Sequence, residues 1–196
     1  MLPNHLVIMA KLPQAGRVKT RLAREIGTAE AVRVYRRLLG TTIARLAADP
    51  RWLTWIAVSP DSAVSASFWP GNVLTFGQGR GDLGERMQRV FDELPPGPAV
   101  IIGSDIPGIA RRDIADAFQQ LGGDDAVFGP APDGGYWLVG ARRRPAVPKM
   151  FAGVRWSGEH ALADTVANLE GRRVGFVREI ADLDEAGDYL RWRAGL

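Results

Sequence analysis

Four cations fall within eleven residues near the N-terminus: Lys11, Arg17, Lys19 and Arg21, in Lys11-Leu-Pro-Gln-Ala-Gly16-Arg17-Val-Lys19-Thr20-Arg21. Ammonium and guanidinium groups on a glycine-bearing loop that leads into a helix suit a triphosphate or pyrophosphate. The alternative is a solvated basic loop. A P-loop is excluded, because Gly does not directly precede the lysine. Arginine supplies 22 of the 25 basic residues, and two of the three lysines (Lys11, Lys19, Lys149) lie in this stretch. A lysine kept against that bias fits a need for a compact point charge.

Four further segments carry candidate chemistry. Residues 79–84 of Gly77-Gln78-Gly79-Arg80-Gly81-Asp82-Leu83-Gly84 match G-x-G-x-x-G, with Asp105 about 20 residues on, which imitates a dinucleotide fingerprint. The match is not in the first βαβ unit, so a glycine loop against some other nucleotide, or an ordinary turn, fits as well. Arg80-Gly81-Asp82 as an adhesion tripeptide is attributed to chance. In Ile101-Ile102-Gly103-Ser104-Asp105-Ile106-Pro107 an apolar strand ends in a carboxylate, a hard oxygen donor suited to Mg²⁺ or Mn²⁺ bridging phosphates. Pro132-Asp133-Gly134-Gly135-Tyr136 alone is a tight turn. Asp182-Leu183-Asp184-Glu185-Ala186-Gly187-Asp188 alone is a run of acids at a helix N-terminus. Beside Asp105 it offers a second carboxylate for one cation. His5, His160 and the six tryptophans read as structural.

These groups need a scaffold, and the apolar pattern supplies one. His5–Ala10, Leu53–Ser59, Val73–Phe76, Ala99–Gly103, Ala126–Gly129, Tyr136–Gly140 and Arg173–Val177 read as strands. Ala29–Ala47, Leu83–Leu94, Arg111–Leu121, Gly158–Leu169 and Glu185–Trp192 read as helices. The alternation predicts a layered α/β fold with a mainly parallel central sheet and its ligand beyond the carboxyl ends of the strands. The motifs above follow strands.

The chain has 196 residues, a net charge of +3 and no cysteine, which suits one domain over residues 1–196 and excludes disulfides, thiolate metal sites and a cysteine nucleophile. No membrane span or signal peptide is evident, so a cytoplasmic enzyme is expected. From Lys11 to Arg45 there are nine basic and two acidic residues, and from Asp105 to Gly140 six acidic and two basic, a division that suits a polyanion plus a divalent cation.

Taken in order, these motifs resemble the GT-A-type nucleotide-diphospho-sugar transferase superfamily. More closely, they are similar to the bacterial DUF2064 family of small GT-A proteins, also termed arsenosugar-biosynthesis-type glycosyltransferases. The opening Lys19-Thr20-Arg21-Leu22 is also similar to phospholactate guanylyltransferases. The resemblance extends to Gly129-Pro-Ala-Pro-Asp133-Gly134-Gly135-Tyr136-Trp137, Trp156-Ser157 and Asp182-Leu183-Asp184. It implies a GT-A, Rossmann-like layered domain with a mixed, mainly parallel sheet. It also implies that Asp105 and Asp184 hold Mg²⁺ or Mn²⁺, with Asp182 as a possible substitute for Asp184. Two departures stand out: a Lys/Arg loop replaces the usual glycine-rich first loop, and Asp184-Glu-Ala-Gly-Asp188 replaces Asp-Thr-Pro-x-Asp.

The resulting expectation is a metal-dependent transferase that takes an NTP or nucleotide-sugar and a small-molecule acceptor. Lys11, Arg17, Lys19 and Arg21 hold phosphates, and Gln78, Gly81, Asp82, Leu83 and Gly84 line the nucleotide. Lys19 and Asp105 act at the reacting group, and Asp133, Gly134, Gly135 and Trp156 face the second substrate. No nucleic-acid or membrane partner is expected, and nothing in the sequence sets the oligomeric state. The rival readings are an NAD(P)-binding oxidoreductase using Gly79–Gly84, a basic nucleic-acid-binding module, and a non-catalytic nucleotide-binding scaffold.

Overall fold

In the computed structural model, which describes residues 2–143 and 146–194, seven strands form one sheet of order β3-β2-β1-β4-β6-β5-β7. The strands are β1 (His5–Lys11), β2 (Leu53–Ser59), β3 (Leu74–Gly77), β4 (Ala99–Ile102), β5 (Ala126–Pro130), β6 (Tyr136–Ala141) and β7 (Val174–Phe176). The helices are α1 (Thr20–Ile26), α2 (Thr28–Leu46), α3 (Leu83–Glu93), α4 (Arg111–Gln120), α5 (Ala161–Ala167) and α6 (Ala186–Arg193). Only β6 runs against the rest, pairing antiparallel with both β4 and β5. The layered, mainly parallel α/β fold expected from the alternation is therefore present. Among the described residues no helix is long and apolar enough to cross a membrane.

The central strands are continuous apolar runs because both faces are covered. Leu6, Ile8 and Ala10 of β1 pack with Val100 and Ile102 of β4 and with Tyr35, Leu39 and Ile43 of α2. Val7 and the alternate β4 residues Ala99 and Ile101 join Met87, Val90 and Phe91 of α3 on the other face. Each fully buried aliphatic side chain contributes roughly 1.5–3 kcal/mol. The order places a switch point beside β1, whose two neighbours β2 and β4 are reached by crossovers in opposite directions. A crevice must open there, above the carboxyl ends of β1 and β4.

Two elements differ from the sequence expectation. α1 is a separate short helix, divided from α2 by Gly27, whose positive φ (φ 85°, ψ 149°) breaks the helical path and aims the next helix. Its signal was the Leu22, Ala23, Ile26 spacing before Gly27. α5 begins at Ala161 rather than Gly158, because Ser157 has φ 64° and the chain is still turning there.

Candidate active site

The crevice is built by three loops. The first leaves β1 at Lys11 and turns at Lys19, whose backbone sits in the left-handed region (φ 47°, ψ 47°). For a non-glycine residue that conformation costs of order 1–3 kcal/mol. Val18 and Leu22, both buried, hold it there. The result turns the Lys19 side chain inward, leaving it only 4% exposed. The second loop leaves β4 and presents Asp105. The third, after β7, presents Asp182 and Asp184. A hydrogen bond from the Leu183 N–H to the Asp105 carbonyl (3.1 Å) ties the second and third together.

The three loops meet at one atom. Lys19 Nζ lies 2.7 Å from Asp105 Oδ2 and 2.6 Å from Asp184 Oδ1. Burial pulls the Lys19 pKa down, but the Asp105 and Asp184 carboxylates outweigh it and the net shift is upward, so the ammonium is retained. Asp182 stands beside this pair and, among the described residues, forms no ion pair of its own. Burial first, then the Asp184 and Asp105 carboxylates, push its carboxyl up to about 6, with Lys19 opposing. Three carboxylates thus share one buried ammonium, with the exposed Arg21 guanidinium at their edge. Among the described residues, no three His, Cys, Asp or Glu side chains form a ready metal cage. Two hard carboxylates converging on a single cationic point do fit a divalent ion that takes its other ligands from phosphate and water.

A cavity of about 350 Å³ opens beside the triad. Of the residues singled out from the sequence, Arg21, Leu83, Asp105, Asp133, Gly135, Trp156 and Asp184 line it, and Asp182 and Tyr136 join them. Arg21 reaches within 3.9 Å of Asp184 Oδ2 from a largely exposed position. Asp133 accepts a hydrogen bond from the Gly135 N–H at 2.9 Å, holding the Pro-Asp-Gly-Gly turn. Gly134 (φ 82°) seats that turn on the chain before α5, where a Cβ would lie 2.3 Å from the Glu159 carbonyl oxygen. Trp156 packs edge-on to Tyr136 and against Phe151, so one wall of the cavity is aromatic.

The remaining expected residues are not brought to this cavity. Lys11 and Arg17 are exposed on the first loop. Gln78 is buried, and its amide donates to the Ala10 and Ala57 carbonyls at 3.3 and 2.8 Å, so its side chain fastens β3 to the sheet rather than facing a base. Asp82 caps α3 in a reciprocal box with Glu85. Gly81 (φ 109°) leaves room for the same Glu85, which a Cβ would meet at 2.2 Å. Gly84 is buried against Trp156 and Phe151. The G-x-G-x-x-G match therefore has a local structural account. It also follows the edge strand β3, away from the switch point where a dinucleotide fold places its fingerprint. Asp188 is likewise structural, accepting from the Asp184 and Glu185 N–H groups.

Sequence reasoning missed Tyr35. Its hydroxyl donates to the Lys11 carbonyl (3.1 Å), accepts from the Lys11 N–H (2.9 Å) and lies 3.1 Å from Ser104 Oγ. It fastens the ends of β1 and β4, the two strands that flank the crevice. At a core-facing position of α2 it reads from sequence as another apolar residue, and only the β1–β4 pairing reveals its use.

Comparison with known proteins adds three solved structures. A Desulfovibrio desulfuricans G20 protein with the provisional name nucleotide-diphospho-sugar transferase is 29% identical, with a TM-score of 0.86 over 98% of this chain and 87% of that one. A CMP:2-keto-3-deoxy-manno-octonic acid synthetase complexed with CTP shares the fold at 13% identity, with a TM-score of 0.62 over 98% of both chains. So does glucosyl-3-phosphoglycerate synthase from Mycobacterium tuberculosis, complexed with Mn²⁺, UDP and phosphoglyceric acid, at 11% identity and a TM-score of 0.58 over 96% of this chain and 73% of that one. No protein of curated function matches the sequence. The family model described as an uncharacterized protein conserved in bacteria, DUF2064, matches residues 42–158, more than half of the chain, and the chain belongs to that family.

Proposed function

We propose that this chain is a divalent-metal-dependent transferase that binds an NTP or nucleotide-sugar and passes a nucleotidyl or glycosyl group to a small-molecule acceptor. The observation that carries the proposal is the convergence of Asp105 and Asp184 on one cationic point at the switch edge of the sheet. The nucleotide-diphospho-sugar transferase name of the 29%-identical relative, and the CTP and Mn²⁺–UDP complexes of more distant proteins of this fold, support it.

In this reading Asp105 and Asp184 would hold Mg²⁺ or Mn²⁺, which would supply charge neutralisation for the phosphates and the leaving group. Lys19 and Arg21 neutralise the phosphates from the α1 side, and Lys11 and Arg17 add positive potential at the mouth. The loop from Gln78 to Gly84 offers backbone and the exposed Leu83 side chain to the nucleoside. Asp133, Gly135 and the Trp156 wall take the acceptor or sugar, with Gly134 shaping the turn. Carboxylates suit hydroxyl donors, and an aromatic face suits the C–H edge of a sugar ring. Tyr35 acts through the backbone by fixing the spacing of the β1 and β4 ends. The chemistry asked of the chain is positioning and charge compensation.

The oxidoreductase reading loses its fingerprint to the structural uses of Gly81, Asp82 and Gly84. A thermal-shift screen of NTPs and nucleotide-sugars, with and without Mg²⁺ or Mn²⁺, tests the proposal. A metal-dependent rise in Tm with one nucleotide class supports it. A rise with NADH and none with any nucleotide–metal pair contradicts it.

A further inference from the structure

We infer that Lys19 is the resident cation of the Asp105–Asp184 site and masks it, so that a divalent ion gains these carboxylates only when a phosphate draws Lys19 away. This rests on the metal-binding reading above and adds an order of events to it. Lys19 Nζ sits 2.7 and 2.6 Å from one oxygen of each carboxylate, at the point where both converge. A Mg²⁺ ion held at about 2.1 Å by the same oxygens, on the side where they face Lys19, would stand far inside contact distance of that nitrogen. Two cations cannot share the position, by volume or by charge. The contact is anchored from its lysine end, the Asp105 and Asp184 side chains being 29% and 41% exposed. The Lys19 side chain is 4% exposed, its backbone is held left-handed between buried Val18 and Leu22, and the Leu183–Asp105 hydrogen bond fixes the two acidic loops together.

Release therefore needs a replacement partner for a buried ammonium. A phosphate supplies one, and it also brings oxygen ligands that two carboxylates alone do not offer a divalent ion. Metal and phosphate should bind with positive coupling, and by linkage each raises the affinity of the other by the same factor. The free protein then keeps its acidic cluster from collecting stray divalent ions.

Mn²⁺ alone is the first probe, titrated into the full chain and followed by the electron paramagnetic resonance signal of free Mn²⁺. Lys19→Met is expected to bind one Mn²⁺ about tenfold or more tighter than the natural protein, and Lys19→Met/Asp105→Asn to lose the gain. Equal Mn²⁺ affinity in the natural protein and Lys19→Met, whether tight or undetectable, overturns the inference. Because only three lysines exist, the ¹⁵Nζ resonances of the natural protein give a second readout that needs no variant. The Lys19 signal should stay in place with Mg²⁺ alone and move with Mg²⁺ plus inorganic pyrophosphate. Movement with Mg²⁺ alone, or none with both, overturns the inference. Metal-dependent nucleotide binding can survive either failure, and its own loss in the thermal-shift screen would remove the metal reading itself.

Discussion

Replacing Gly84 by alanine sets two well-defined effects against each other. Gly84 lies in the first turn of α3, where alanine improves helix propensity by up to about 1 kcal/mol. The added Cβ would stand 2.7 Å from Trp156 Cζ2, 2.9 Å from Phe151 Cβ and 3.3 Å from the Phe151 carbonyl oxygen. Overpacking of that kind costs roughly 1–3 kcal/mol. Phe151 has little room to yield, because the atoms met are its backbone oxygen and Cβ and the residue is buried with its ring parallel to that of Phe91. Trp156 can, since it borders the cavity, so the strain moves the indole into the space assigned to substrate. The steric cost should exceed the propensity gain by about 1 kcal/mol, lowering Tm by about 2–4 °C for a chain of this size. Nucleotide or acceptor affinity should fall as well. Thermal unfolding and calorimetric titration measure the two effects, and Trp156→Phe in the same chain should relieve both. A Gly84→Ala protein that is more stable than the natural one and keeps full affinity would refute the packing argument.

Two further substitutions test the supports of the site. Tyr35→Phe leaves the Lys11 N–H and Ser104 Oγ without their buried partner and should cost about 1–3 kcal/mol by urea unfolding; an unchanged midpoint would mean the hydroxyl is not a fastening. Asp113 is almost fully buried and bound by Arg178 at 2.6 and 2.8 Å and by the Ala110 N–H at 2.6 Å. Burial alone would raise its pKa, but Arg178 and that N–H outweigh burial and hold it below the usual carboxylate range. Its contribution is therefore full above about pH 4 and is lost as pH falls through the lowered value. Asp113→Asn should be less stable at pH 7 and show a shallower loss of stability below pH 4; parallel curves for the two proteins would contradict this.

The layered fold was legible because β1 and β4 are unbroken apolar runs and α2 repeats its apolar face every three to four residues. Both patterns are local, and burial on two faces enforces them. Asp105 was legible because it follows the apolar β4 run within a few residues; Asp182 and Asp184 lie farther beyond β7 and were read from the acidic run before the last helix. Lys19 stood out only as a lysine among arginines, and sequence assigned it to phosphate. Its contacts with Asp105 and Asp184 depend on a left-handed turn that no local rule assigns to lysine. The glycine loop is ambiguous in sequence for the opposite reason. Gly81 and Gly84 answer to Glu85 and Trp156, a neighbour in the helix and a side chain from a distant segment, and a regular expression cannot separate such uses from close approach to a nucleotide. Tyr35 was hidden because a hydroxyl at the end of a core-facing helix position leaves no pattern.

In the proposed function Asp105 and Asp184 form a metal-assisted nucleotide site. Calorimetric titration of the nucleotide class found by the thermal-shift screen, with and without Mg²⁺, tests it most directly when repeated on Asp105→Asn. Mg²⁺ should clearly tighten binding in the natural protein and not in Asp105→Asn, with the melting transition of the variant still cooperative. Full Mg²⁺ enhancement in Asp105→Asn would contradict it.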